Sequence, residues 1–135
     1  MTKPRVLIVE DDALIALDVC EALVAAGFEV CGMVSSEDEA IDQSRLVHAD
    51  FAVVDISLSP GDGRVVARVL SADHTAVLFA TGQCDDIRFL SGVGGIACLP
   101  KPYNAADIPR ALRVVANMVE GRPLGPTPDS MFALA

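Results

Sequence analysis

Basic residues are scarce in this chain: ten Lys and Arg stand against nineteen Asp and Glu, for a formal net charge of −9. No Lys/Arg run occurs, so the clustered positive surface that neutralises nucleic-acid phosphates is missing and direct DNA binding is not expected. Long hydrophobic runs are also missing. The content of apolar residues is high at 52%, yet no stretch approaches the roughly 20 residues of a membrane-spanning helix. Met1-Thr2-Lys3-Pro4-Arg5 leads straight into an apolar run without a separate hydrophobic segment and small-residue cleavage site, so no secretory signal is indicated and a cytoplasmic location is expected. The four cysteines, Cys20, Cys31, Cys84 and Cys98, contain no C-x-x-C pair. In a reducing compartment they read as small apolar residues rather than metal ligands.

What is present is a chain of 135 residues, enough for one domain with a core that needs neither disulfide nor structural metal. The apolar runs are four to seven residues long and are broken by acids, glycines and prolines. This is the pattern of strands buried on both faces. Val6-Leu7-Ile8-Val9 is followed at once by Glu10-Asp11-Asp12. Helical spacing then runs from Ala13 to Ala26 (Leu14, Leu17, Leu23 and Val24), with Gly27 as a C-terminal cap. A strand over Phe28 to Val34 follows, then a helix opened by Ser36 and Glu39 at capping-box spacing, then the strand Phe51 to Val54 ending on Asp55. Ser59-Pro60-Gly61-Asp62-Gly63 is a turn, with a helix from about Arg64 to Ser71 after it. A strand over Thr75 to Ala80 is closed by Thr81-Gly82. Asp85 to Leu90 is at most a short helix, weakened by Gly92, Gly94 and Gly95. The last strand covers Gly95 to Leu99, and Asn104 is placed to cap a helix through about Glu120 with Ile108, Leu112, Val115 and Val119 on one face.

Five alternations of strand and helix imply an α/β domain over residues 1–120: a parallel sheet with helices on both faces. The fourth helix is expected to be short or irregular. Residues 121–135, with three prolines and two glycines, read as a flexible tail. Met131-Phe132-Ala133-Leu134 is the one part of the tail able to dock on a partner. In such folds the working site lies at the carboxyl ends of the strands. Those ends deliver Glu10, Asp11, Asp12, Asp55, Thr81 and Lys101 to one edge. Clustered carboxylates are hard oxygen ligands that suit Mg²⁺ and need a positive charge to offset their repulsion. An aspartate beside such a metal can attack phosphorus and form an acyl phosphate. Lys101 supplies a compact positive charge for the transferring group, Thr81 a hydroxyl for a phosphoryl oxygen. Pro102 restricts the backbone next to Lys101 and admits a cis bond. Asp12 suits the N-cap of the first helix better than a metal ligand. His48 and His74 lie in loops without phosphotransfer context.

Four motifs in register, Val-Glu-Asp-Asp (9 to 12), Val-Val-Asp-Ile-Ser-Leu (53 to 58) with Pro60, Gly61 and Gly63, Ala-Thr-Gly (80 to 82) and Leu-Pro-Lys-Pro-Tyr (99 to 103), resemble the response-regulator receiver domain of two-component signalling, from residue 5 to about residue 119. The resemblance implies a flavodoxin-like, doubly wound five-stranded parallel sheet of order 2-1-3-4-5 with five flanking helices. It also implies Asp55 as phospho-acceptor, Mg²⁺ held by Asp11, Asp55 and the Ser57 backbone carbonyl, with Glu10 reaching it through water, Thr81 as the switch hydroxyl and Lys101 as the salt-bridge partner. One position departs from the family pattern: Cys98 stands three residues before Lys101, where many receivers place a Tyr or Phe that changes rotamer with the switch residue.

The function expected from this resemblance is a single-domain receiver that takes a phosphoryl group from a histidine kinase or histidine phosphotransfer protein and then binds a downstream protein target. A homodimer is an open possibility, and autodephosphorylation is the only enzymatic activity expected. Three alternatives stand beside it. The chain can be a receiver cut from a hybrid kinase or larger regulator, or a pseudo-receiver that binds partners without phosphorylation. An aspartate-nucleophile, Mg²⁺-dependent phosphatase normally needs a second acid two residues after the nucleophile, where Ser57 stands.

Overall fold

Successive residues of a strand point to opposite faces, and in β1 (Arg5–Val9) both sets are apolar, so both faces of the sheet must be covered. Val6 and Ile8 pack into one core with Val53, Leu78, Ala80, Ala97 and Leu99. Leu7 and Val9 pack into the other with Ala52, Val54, Val77, Phe79 and Cys98. The protein is described here by a computed structural model covering residues 2–87 and 92–134. Its elements alternate as the sequence implies: α1 (Ala13–Ala25), β2 (Glu29–Val34), α2 (Glu37–Leu46), β3 (Phe51–Val54), α3 (Gly63–Ala72), β4 (Ala76–Thr81), α4 (Cys84–Ile87), β5 (Ala97–Pro100), α5 (Asp107–Val119) and β6 (Phe132–Ala133).

The strand order is β2-β1-β3-β4-β5-β6. The first five strands pair in parallel in the expected 2-1-3-4-5 order, and β6 adds an antiparallel edge strand. α1 and α5 cover one face through Ala16, Val19 and Leu23 and through Ile108, Ala111, Leu112 and Val115. α2, α3 and α4 cover the other through Ala40, through Val66, Ala67 and Leu70, and through Cys84 and Ile87. No helix among the described residues is long and apolar enough to cross a membrane.

The caps account for where several helices begin. Asp12 accepts hydrogen bonds from the backbone N–H groups of Leu14 and Ile15 at 3.0 and 3.2 Å, the expected N-cap. Ser36 caps α2 by accepting from the Glu39 N–H at 3.2 Å. The return bond of that capping box is shifted by one residue: Glu39 accepts from the backbone N–H of Ser35. Asp62 caps α3 through the Arg64 N–H and also pairs with the Arg64 guanidinium, which holds its carboxyl below the usual range.

Four sequence expectations are corrected. Asn104 does not cap α5: its side chain accepts from the Ala106 N–H, closing a turn one step upstream, and the helix starts at Asp107 without a side-chain cap. In α1, Leu14, Leu17 and Val24 are exposed, and the buried stripe is Ala16, Val19 and Leu23. The helix is apolar on most faces, so spacing alone does not select the inward one. Residues at the end of the tail lie on the sheet: β6 pairs with β5, the Leu134 N–H bonds the Ile96 carbonyl at 2.9 Å, and Phe132 and Leu134 pack on the core that contains Cys98. Finally, Cys84 and Cys98 are joined in a disulfide with a Cα–Cα separation of 6.0 Å, while Cys20 and Cys31 are free thiols. The helix expected over Asp85 to Leu90 is seen as α4 from Cys84, and its residues 88–90 lie outside the described residues.

Candidate functional site

The parallel register sets the geometry of the site. Val9 lies beside Val54 and Val54 beside Phe79. The ladder continues one residue further, with the Asp55 N–H donating to the Val9 carbonyl at 2.9 Å and the Glu10 N–H to the Val34 carbonyl at 3.0 Å. Glu10 and Asp55 therefore leave adjacent strands at the same height, where the strand order reverses between β1 and β3. Thr81 ends β4, and the Lys101 N–H donates to its carbonyl at 2.9 Å, which brings the lysine onto the same edge.

Oxygens of Glu10, Asp11 and Asp55 all lie within 4.8 Å of one another. Two of these acids are buried, Glu10 at 6% and Asp55 at 4% relative exposure, and Asp11 faces solvent. Lys101 Nζ sits between the buried pair, 2.8 Å from Glu10 Oε1 and 2.8 Å from Asp55 Oδ2. The other carboxylate oxygens are also satisfied, Glu10 Oε2 by the Asp12 N–H at 3.1 Å and Asp55 Oδ1 by the Ser57 N–H at 3.1 Å. Burial pushes the Glu10 carboxyl above its ordinary value, against the hydrogen bonds from Lys101 and Asp12. For Lys101 burial acts downward, but the hydrogen bonds and charges of Asp55 and Glu10 together outweigh it and raise the ammonium above its ordinary value. The Tyr103 hydroxyl is pushed up to about 12, first by burial and then by the charge of Glu10.

Asp55 is positioned by a tight connection to α3. The Gly63 N–H donates to the Ile56 carbonyl at 2.9 Å, and a Cβ on Gly63 would stand 2.0 Å from the Asp55 carbonyl oxygen. Only glycine fits that approach. The Lys101-Pro102 bond is cis, as the sequence admits, and Ser59-Pro60 is cis as well.

Thr81 is fully buried at the end of β4 and accepts from the Gln83 N–H through Oγ1 at 3.3 Å. Gln83, which sequence reasoning did not single out, also hydrogen-bonds the Ser57 hydroxyl through its side-chain amide. It therefore links the loop after Asp55 to the end of β4, a relation that no local pattern signals. Cys84 begins α4 directly after it, and its Sγ lies 3.7 Å from the Thr81 carbonyl oxygen. The structure thus brings Glu10, Asp11, Asp55 and Lys101 together, places Ser57 next to Asp55, and puts Thr81 on the neighbouring strand end. Asp12 is turned away into its cap.

A donor set of three clustered carboxylates, without histidine or cysteine, fits a small hard divalent cation such as Mg²⁺. Residues 6–113 match the response regulator receiver domain family. The chain belongs to that family. The receiver is 31% identical over 116 residues to the transcriptional regulatory protein PdtaR of Mycobacterium tuberculosis, an alignment covering 84% of the chain and 57% of PdtaR. It spans little more than half the length of that relative. It is 26% identical to the chemotaxis protein CheY of Thermotoga maritima, over 83% of the chain and 97% of CheY. In fold it is similar to the chemotaxis response regulator CheY4 of Vibrio cholerae, with a TM-score of 0.75, 23% identity, and coverage of 84% of the chain and 99% of CheY4.

Proposed function

We propose that this receiver is a phospho-accepting switch in which Asp55 takes a phosphoryl group from a phosphohistidine of a kinase or phosphotransfer protein. The observation that carries the reading is the meeting of Glu10, Asp11 and Asp55 around the Lys101 ammonium at the point where strand order reverses. A carboxylate oxygen of Asp55 forms the new bond to phosphorus as the bond to the imidazole nitrogen breaks and the histidine leaves. Lys101, already 2.8 Å from Asp55, offers a fixed positive charge to the phosphoryl oxygens. Asp11, Asp55 and the Ser57 carbonyl would hold Mg²⁺ directly, with Glu10 acting through water. The metal supplies charge neutralisation for the transferring group.

Thr81 presents a hydroxyl on the adjacent strand end, and turning it toward the new phosphoryl group would break its bond from the Gln83 N–H. That movement conveys the modification to the surface formed by α4 and β5 and so to a downstream protein partner. Exposed Leu14 and Leu17 on α1, beside the acidic cluster, support an apolar docking face for the phosphodonor protein. We place the protein in the cytoplasm, without direct DNA contact and with autodephosphorylation as its only turnover. The span of 57% of PdtaR favours a second reading in which this receiver is part of a larger regulator. Borohydride trapping after exposure to phosphoramidate and Mg²⁺ tests the assignment: peptide mapping is expected to find homoserine at position 55, and trapping elsewhere or nowhere would overturn it.

A further inference from the structure

The disulfide sits where the signalling path of the proposed switch runs. Cys84 opens α4 three residues after Thr81, and Cys98 lies in β5 three residues before Lys101. The bond closes a sequence separation of 14 residues, and both partners are almost fully buried, at 2% and 0% relative exposure. Cys98 is in register with Phe79 of β4 on one side and Phe132 of β6 on the other. A single bond therefore ties α4 to the strand that also pairs with β6.

The bond is not what the core requires. A receiver of this length buries two apolar clusters, one on each face of its sheet, and such a domain holds together without a staple. In a reducing compartment, where this chain is placed by the reading above, the disulfides that do form are mostly transient, catalytic or redox-sensing. The bond joins the first residue of α4 to β5, so opening it removes the covalent tie between the two. Two unbonded sulfurs also need more room than two bonded ones, and in a buried site the packing between α4 and β5 must shift to provide it.

We propose that Cys84 and Cys98 form a reversible thiol–disulfide site through which the surrounding thiol pool sets how firmly α4 is held against β5. Oxidation uses a small disulfide such as oxidised glutathione. The thiolate of one cysteine attacks it, forming a mixed disulfide and releasing one glutathione thiolate. The thiolate of the second cysteine then attacks the protein sulfur of the mixed disulfide, forming the Cys84–Cys98 bond and releasing the second glutathione thiolate. Two electrons pass from protein to glutathione, and the two protons given up by the cysteines end on the two released glutathiones. Reduction is the reverse. The site itself stands independently of phosphorylation; its effect on signalling rests on the phospho-acceptor reading.

The full chain is equilibrated in glutathione buffers of stepped reduced-to-oxidised ratio, quenched, alkylated in denaturant and weighed intact. Two adducts, on Cys20 and Cys31, mark the oxidised form and four mark the reduced form. One transition from two to four is expected, and amide exchange at α4 is expected to be about tenfold faster in the reduced form. A Cys84→Ala variant cannot close the bond: it should give three adducts at reducing ratios, with at most a mass-resolved glutathione in place of an adduct at oxidising ones, and the faster exchange throughout; reduced wild type carries the same comparison should this variant fail to fold. Two adducts at every ratio, four at every ratio, or equal exchange at α4 in the two forms would overturn the proposal. Phosphoryl uptake at Asp55 is read in both forms: its absence from both removes the phospho-acceptor reading and leaves the thiol result standing.

Discussion

Lys101 Nζ lies 2.8 Å from Glu10 Oε1 and 2.8 Å from Asp55 Oδ2, so one ammonium serves two carboxylates that leave neighbouring strands. The lysine side chain is 24% exposed and the two acids 6% and 5%. Replacing it by methionine, Lys101→Met, keeps the apolar stem and leaves two buried negative charges without their partner. Since the site opens to solvent on one side, the cost is expected to be about 2 kcal/mol, below that of a fully enclosed pair. Urea unfolding at neutral pH measures it, and an unchanged midpoint would contradict the role given to the lysine.

The pH dependence of stability separates Glu10 from Lys101. Glu10 holds its proton more tightly in the folded chain than its ordinary value of 4.5, chiefly because it is buried. Its stabilising effect is therefore complete below 4.5 and is lost as pH rises through the raised folded value. Lys101 is also raised, from 10.5, so its contribution is present at neutral pH and is lost only at alkaline pH above that value. Glu10→Gln removes the first dependence, and its stability relative to wild type should improve as pH rises from 4.5 through the raised folded value. Urea midpoints across that range report it, and a relative stability that declines with rising pH would count against the assignment.

Tyr103 is the single tyrosine of a chain that has no tryptophan, so its ionisation can be read without overlap. Burial first and the Glu10 charge second push its hydroxyl up to about 12 from an ordinary 10.0. The ultraviolet absorbance of the phenolate should therefore appear near 12 in the folded chain and near 10 in denaturant. Its protonated form is favoured by folding, so stability falls as pH climbs from the lower value to the higher. A folded-state midpoint at the denatured value would show that the ring is not seated as described.

Gly63 tests the support of Asp55. A methyl group there meets the Asp55 carbonyl oxygen at 2.0 Å and the Ile56 Cα at 2.7 Å, both backbone atoms that cannot rotate aside. Gly63→Ala is expected to cost about 3 kcal/mol, at the upper end of overpacking effects, and to slow phosphoryl uptake by moving Asp55. Thermal unfolding and uptake from acetyl phosphate check the two effects. Wild-type behaviour in both would remove the steric argument.

The parts of this protein that were legible in the sequence are those where a local pattern has one physical solution. Val6 to Val9 followed by acids can be buried on both faces only as an interior strand, and that fixed where Glu10 and Asp11 emerge. Asp12 before Ala13 and Ser36 before Glu39 have short-range partners, so their caps were readable. The inward face of α1 was not, because its apolar residues surround the axis and only the docked sheet selects Ala16, Val19 and Leu23. The Cys84–Cys98 bond is made by tertiary placement: the pairing of β4 with β5 sets Cys98 beside Phe79, and α4 then lies across it. β6 spans only two residues, too few for any periodic signal, and it exists because β5 offers an unpaired edge. Gln83 escaped notice for a similar reason, since its link between Ser57 and Thr81 joins loops distant in sequence.

The most direct test of the phospho-acceptor reading is intact mass after incubation with acetyl phosphate and Mg²⁺, with wild type and Asp55→Asn compared, each also with the metal chelated. The account predicts the gain of one phosphoryl group in wild type with Mg²⁺, greatly reduced gain under chelation, and none in Asp55→Asn. An unmodified wild type, or the same gain in Asp55→Asn, would contradict it.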